Sequence, residues 1–277
     1  MGDHQQLSLN YNKNVSSMTI TQLKQWINDR QHIENSTIEK LKSDSRKTTT
    51  KLAEQCIRKN EKLKEEKKRI ESIKEIEKDL HQKGYKYIAG VDEAGKGALA
   101  GPVTAAAVIF PEEVNLLEVN DSKKLTAKER ESLYSKIVKQ ASAVGVGMVS
   151  VEKINEMGIS TANRLAMKKA VDNLVIEPDF VLIDCIEVNN LGVLSNSIPK
   201  GDSRCYCIAA ASIIAKITRD RKMVKLSKDY PEYGFKANKG YGTPEHQKAV
   251  EKHGYSDIHR KSFRFNHIGG QKLEFNK

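Results

Sequence analysis

The chain has little of the chemistry that export or membrane insertion would leave. Only four of its 277 residues are cysteine, Cys56, Cys185, Cys205 and Cys207, and no pair has the C-x-x-C spacing of a zinc or redox motif. Aromatic residues are sparse at 6%, with Trp26 the single tryptophan. No apolar run approaches the ~20 residues of a membrane span. The opening stretch MGDHQQLSLNYNKN has no apolar core, so no secretory signal is expected and the thiols are expected to be reduced in the cytoplasm. Acidic residues are also in deficit: 36 Asp and Glu stand against 47 Lys and Arg, a net charge of +11. A basic surface of that kind favours a polyanionic partner, and nucleic acid is the expected one.

Two composition regimes meet near residue 84. Before it, Thr19-x-x-Gln22 has the form of a capping box opening a short helix, TQLKQWINDR. From Thr50 to Leu80 the chain is dense in Lys and Glu. Its apolar positions Leu52, Cys56, Leu63, Ile70, Ile73 and Leu80 follow a heptad that Lys59 and Glu66 interrupt. That predicts one long helix packed on its own N-terminal neighbour, and a poor dimeric coiled coil. After Gly84, strand-like runs alternate with helical ones: YKYIAGVD, GPVTAAAVIF, AVGVGMVS and DFVLID among the former, and the strongly apolar CIAAASIIAKITRDRKMVKLS among the latter. Such alternation predicts an α/β domain with a mixed sheet over residues 85–277, behind a helical extension at 1–84.

One octapeptide in the first strand, GVDEAGKG at 90–97, has two incompatible readings. From its ends it approximates the G-x-x-x-x-G-K of a phosphate-cradling loop. That motif needs Ser or Thr after the lysine, where Gly97 stands, and a helix to follow, where the chain continues into another strand. Asp92 and Glu93 would also lie inside the cradle. Read from its middle, the segment sets two carboxylates at a strand end, where the Ala94-Gly95 turn lets both serve one site. Further carboxylates support this reading. Asp184 ends the apolar strand Phe180–Ile183, and Asp202 sits in a polar turn before the apolar helix. Carboxylates that converge raise one another's pKa values, and hard divalent cations relieve the repulsion. An all-oxygen donor set suits Mg²⁺ or Mn²⁺, and a pair of such ions suits phosphodiester chemistry.

The ordered blocks GVDEAGKGALAGPV, DSKKL (121–125), VLID (181–184), KGD (200–202) with IAAASIIAKITRD, YPEYGF (230–235), GYGT (240–243) and HRKSF (259–263) carry a resemblance. From Tyr87 to Phe263 the chain resembles bacterial ribonuclease HII, in the variant with an N-terminal helical extension. The resemblance implies a ribonuclease H-like mixed sheet flanked by helices, with a C-terminal helical portion. It implies hydrolysis on the 5′ side of a ribonucleotide in RNA–DNA hybrids or in duplex DNA, leaving 5′-phosphate and 3′-hydroxyl ends. Asp92, Glu93, Asp184 and Asp202 match the family's catalytic, metal-holding carboxylates. Gly95-Lys96-Gly97 matches its Gly-Arg-Gly, which reads the ribose 2′-hydroxyl, and Tyr241 matches a tyrosine that stacks on the following sugar.

Two positions depart from that pattern. Lys96 replaces an arginine, exchanging a bidentate fork for a point charge. Cys185 stands where Gly or Ala is usual. Lys123, Lys124 and Lys200 are candidate phosphate contacts, Lys216 a candidate neutraliser of the carboxylates, and His259 and Arg260 are read as closing the C-terminal portion. A monomer is expected. A nucleic-acid-binding protein that kept the fold without the reaction is the competing reading.

Overall fold

The computed structural model describes residues 15–114 and 116–263. The N-terminal stretch read above as lacking a signal, residues 1–14, lies outside the described residues. The chain divides into two compact units at Arg69/Ile70.

The first unit contains α1 (Ile20–Asn28), α2 (Asn35–Ser43) and most of α3 (Lys47–Ile73). The Thr19 hydroxyl accepts from the Gln22 N–H and the Gln22 side chain accepts from the Thr19 N–H, so the predicted capping box forms. Leu52, Ala53 and Cys56 of α3 bury against Leu23, Ile27, Ile33, Ile38 and Leu41. Each such aliphatic side chain contributes roughly 1.5–3 kcal/mol on leaving water. The break in the heptad has a reason. The Lys59 ammonium donates to the Ile27 carbonyl at the end of α1 (2.7 Å), and Asn60 clamps the backbone of Ile33 from both sides (3.0 and 2.7 Å). Lys59 thus satisfies a helix end where a coiled coil would place an apolar knob, and Asn60 beside it holds the linker.

The predicted single helix to Leu80 is two helices. It breaks at Lys74, after which α4 runs Glu75–Gln82. The Lys74 ammonium donates to the Val114 carbonyl and lies over the Tyr206 ring (4.8 Å), which fixes the residue at the break.

The second unit is built on β1 (Ile88–Ala94), β2 (Val103–Ile109), β3 (Ala143–Val149), β4 (Phe180–Asp184) and β5 (Leu194–Ile198), in the spatial order β3-β2-β1-β4-β5. The first three strands are antiparallel neighbours, while β1–β4 and β4–β5 pair in parallel. Strand β5 was not anticipated, because LSNSI is polar and mostly exposed. α5 (Ala127–Gln140) opens on a Thr126/Glu129 capping box, and α6 (Val151–Met157) and α7 (Ile159–Asp172) divide at Gly158.

Alternation along β2 feeds two cores. Ala106 and Val108 face the cluster containing α9 (Tyr206–Leu226), and Ala105, Ala107 and Ile109 face that of α7. Gly90 permits the closest approach. A Cβ there would stand 2.2 Å from the Cys207 carbonyl carbon, so α9 lies with its backbone on β1. A smaller cluster of Ala100, Met223, Tyr233, Phe235 and Val250 forms the C-terminal portion with α10 (Phe235–Asn238) and α11 (Pro244–His253). Among the described residues no helix is long and apolar enough to cross a membrane.

Candidate active site

Parallel pairing of β1 with β4 sets Val91 opposite Ile183. One residue further along each strand come Asp92 and Asp184, so the carboxyl ends of the two central strands carry an acid each. Asp92 is 4% exposed. Its Oδ1 accepts from the Glu93 N–H (2.7 Å), which turns the strand end so that both acids belong to one neighbourhood. Burial first, then the charges of Glu93 and Asp184, push the Asp92 carboxyl well above the usual carboxylate range, against the Ser212 hydroxyl and the Glu93 N–H. Burial likewise raises Glu93, with Lys96 opposing.

The short helix α8 (Gly201–Arg204) brings in the fourth acid. The Gly201 N–H donates to Asp184 Oδ1 (2.6 Å), tying α8 to the end of β4 and placing Asp202 beside the group. Lys123, on the 3-10 turn Ser122–Lys124, donates to Asp202 Oδ2 (3.2 Å) and lies close enough to Asp92 to feel its charge. Lys123 therefore joins the carboxylates directly. Lys124, beside it, is exposed and makes no ion pair among the described residues. Lys200 is exposed at the head of α8. Lys216 is not a partner of the carboxylates: it pairs with Asp220 (2.9 Å) and lies over the Tyr241 ring (5.3 Å).

Cys185 also acquires an account. It and Lys200 both adopt left-handed backbone, at φ 57° each, which explains why a glycine would suit position 185. Its sulfur accepts from the Lys200 N–H (3.3 Å) while its thiol donates to Asp184 Oδ1 (3.4 Å), linking the end of β4 to the head of α8. These contacts offset the ~1–2 kcal/mol that left-handed backbone costs a residue with a Cβ.

The Gly95-Lys96-Gly97 loop is held from beneath. Gly95 has φ +88°, and a Cβ there would lie 1.8 Å from Arg219 Nε. Arg219, fully buried, donates to the carbonyls of Pro102 (2.9 Å), Lys239 (2.9 Å) and Ala100 (3.0 Å). Arg260, also fully buried, donates to Gly101 (3.0 Å) and to the Lys96 carbonyl itself (2.9 Å). Gly97 differs from Gly95: it is exposed, and a Cβ on it would meet nothing within 4 Å. The fold gives no internal reason for glycine there, whereas a ligand approaching the backbone would.

Tyr241 is held against the same loop. The Leu99 N–H donates to the Gly240 carbonyl (2.8 Å), and the Arg219 guanidinium lies 5.2 Å from the tyrosine ring. A neutral relay fixes its backbone. Ser256 N–H donates to His259 Nδ1 (2.9 Å), so His259 carries its proton on Nε2 and donates to His246 Nε2 (3.0 Å). His246 then donates from Nδ1 to the Tyr241 carbonyl (2.9 Å). His259 and Arg260 thus close the C-terminal portion, as expected.

Arg219, Asn163 and Ser212 were missed by sequence reasoning. Arg219 follows Ser212 and Ala215 by seven and four residues, which is core-face spacing in an apolar helix and was the available signal. Asn163 shares the buried face of Ala166, Met167 and Ala170. Its amide lies by the Glu93 carboxyl and lowers that group's proton affinity, but meets no partner at ordinary hydrogen-bond geometry. A buried orphan amide beside clustered acids, with an all-oxygen donor set, fits a site for hard divalent ions.

Comparison with known proteins agrees with this architecture. The family described as ribonuclease HII matches residues 89–266, and its N-terminal domain matches 19–81. The chain is 46% identical to ribonuclease HII of Clostridioides difficile over 82% of its own length and 89% of that protein. It is 43% identical to that of Bacillus licheniformis over 90% of its length and 97% of that protein. Among solved structures, the ribonuclease H2 of Pyrococcus horikoshii superposes with a TM-score of 0.56 at 28% identity, covering 64% of this chain and 93% of that one. The ribonuclease HII of Archaeoglobus fulgidus, solved in complex with PCNA, gives 0.57 at 27% identity, covering 66% and 97%. Sequence, sheet order and the acids at the ends of β1 and β4 converge on one conclusion: the chain belongs to the ribonuclease HII family of divalent-metal-dependent endoribonucleases that act on RNA–DNA hybrids.

Proposed function

We propose that this chain cuts the phosphodiester on the 5′ side of a ribonucleotide, in hybrids or singly embedded in duplex DNA, leaving 5′-phosphate and 3′-hydroxyl ends. The observation that carries the reading is the buried Asp92 carboxylate, crowded by Glu93 and Asp184. Asp92, Glu93, Asp184 and Asp202 would hold Mg²⁺ or Mn²⁺. When bound, such ions supply an acidified water and neutralise charge on the leaving oxygen.

The chain's own groups do the rest. The exposed backbone at Gly97 and the Gly95–Lys96 turn approach the ribose 2′-hydroxyl, the one group that separates RNA from DNA. Tyr241 stacks on the next sugar, at a height set by the histidine relay. Lys96, Lys123, Lys124 and Lys200 meet phosphates. Lys123 also balances Asp202 until substrate and ions arrive.

Residues 1–84 are read as an extension that adds affinity for hybrids through its basic helical surface, and 85–277 as the catalytic portion. The protein is taken to work as a cytoplasmic monomer in DNA replication and repair. The experiment is to map cleavage of a duplex carrying one ribonucleotide, beside a full hybrid and an all-DNA duplex, in Mg²⁺ and in Mn²⁺. A single cut 5′ to the ribonucleotide supports the reading. Cutting of all-DNA duplex, or no cutting with duplex still bound, refutes it.

A further inference from the structure

A second group of ligand atoms lies away from the carboxylates, where α4 meets the start of α9. One ligand atom from each of Glu77, Cys205 and Cys207 falls within 4.8 Å of the other two. Cys205 Sγ is 3.4 Å from Cys207 Sγ and 3.4 Å from Glu77 Oε1. Around a tetrahedral zinc ion, with bonds of about 2.3 Å to sulfur and about 2.1 Å to oxygen, two sulfurs stand about 3.8 Å apart and a sulfur and an oxygen about 3.6 Å apart. Cys205 therefore needs to part from Cys207 and from Glu77 by only a few tenths of an ångström for the three to surround such an ion.

Helix capping explains part of this arrangement but leaves a residue. Glu77 Oε1 accepts from the Cys207 N–H (2.8 Å), which satisfies an orphan donor in the first turn of α9. The other carboxylate oxygen, Oε2, is buried with no hydrogen-bond partner. A cap alone would not demand two thiols packed together beside a half-used carboxylate.

Access and a fourth position are also present. Glu77 and Cys207 line a pocket of about 520 Å³, bounded further by Ile88, Phe110, Val114 and Tyr206. Two thiols and one carboxylate suit a thiophilic ion with borderline hardness, unlike the all-oxygen set at Asp92.

We propose that Glu77, Cys205 and Cys207 form a three-ligand site for a thiophilic divalent cation, of the zinc class, with its open position toward the pocket. Binding displaces the two thiol protons to solvent and leaves the ion held by two thiolates and one carboxylate. The site would pin α4 to the first turn of α9. Cys205 is also the residue that ends α8, so the same ion would stiffen the segment carrying Asp202. Binding of this ion requires neither the proposed cleavage reaction nor the ions assigned to Asp92.

The test is Co²⁺ titration of the reduced full-length chain, read by the sulfur-to-cobalt charge-transfer band, which a carboxylate-only site cannot produce. One equivalent of band, bleached by one equivalent of Zn²⁺, is expected; no band in the intact chain overturns the proposal. Cys56→Ser/Cys185→Ser must keep the band, because those are the other thiols, and its loss there also overturns the proposal. Cys205→Ser/Cys207→Ser, if folded by circular dichroism, must lose it. Glu77→Gln must weaken Co²⁺ affinity at least tenfold, and an unchanged affinity removes Glu77 from the site.

Discussion

Two buried charged regions flank the 95–101 loop, and they are organised in opposite ways. Beneath it, Arg219 and Arg260 direct five donor–acceptor contacts onto backbone carbonyls. Beside it, burial and the charge of Asp184 raise the proton affinity of Asp92 and Glu93, and Lys123 forms its ion pair with Asp202. The arginines are matched within the chain and so fix a shape. The acids are unmatched within it, and their missing counter-charge is what a metal-dependent enzyme takes from solution. Burial of charge is common to both; whether the protein completes the electrostatics separates scaffold from site.

Substitutions should break this contrast in different directions. Asp92→Asn removes charge from the unmatched side. Cleavage should fall by on the order of a thousandfold or more, the scale of lost transition-state electrostatics, while duplex binding by gel shift persists. The same variant should gain less thermal stability from Mn²⁺ than the intact chain does. Arg219→Ala acts on the matched side, leaving three buried carbonyls without donors. It should cost roughly 3 kcal/mol or more in urea unfolding. Protein that stays folded should show a raised KM, because the 95–97 loop and Tyr241 lose the side chain packed against them.

The histidine relay gives a pH test of the matched region. Burial and the neighbouring His246 lower the His259 pKa to about 4. Between the ordinary value near 6.5 and about 4, the unfolded chain binds a proton that the folded chain refuses. Stability is therefore full above that window and declines as pH falls through it, by at most about 3 kcal/mol. His259→Gln should flatten that part of the unfolding-midpoint profile; an unchanged slope would show that the relay is not neutral. The smallest effect is expected from Lys96→Arg. Restoring the planar fork should lower KM a few-fold at unchanged kcat, since both residues carry the same charge.

Much of this was legible from residue order. The capping box at Thr19, the strand-ending acids and the glycine-flanked Lys96 are local signals, and local physics made them readable. What escaped depended on partners distant in the chain. β5 is polar because it is an exposed edge, so it lacks the apolar pattern of a buried strand. The break at Lys74 depends on Val114 and Tyr206, forty and more residues away. Cys185 made sense only once its left-handed backbone and its contact with Lys200 were seen. Arg219 escaped because two of its carbonyl partners lie over a hundred positions earlier and the third twenty positions later.

The most direct test of the account is a paired measurement on one duplex containing a single ribonucleotide: cleavage and equilibrium binding, with Mn²⁺, for the intact chain and for Asp92→Asn. The account predicts one cut 5′ to the ribonucleotide by the intact chain, none by the variant, and binding constants within a few-fold of each other. Cleavage that survives in Asp92→Asn, or an intact chain that binds without cutting, would contradict it.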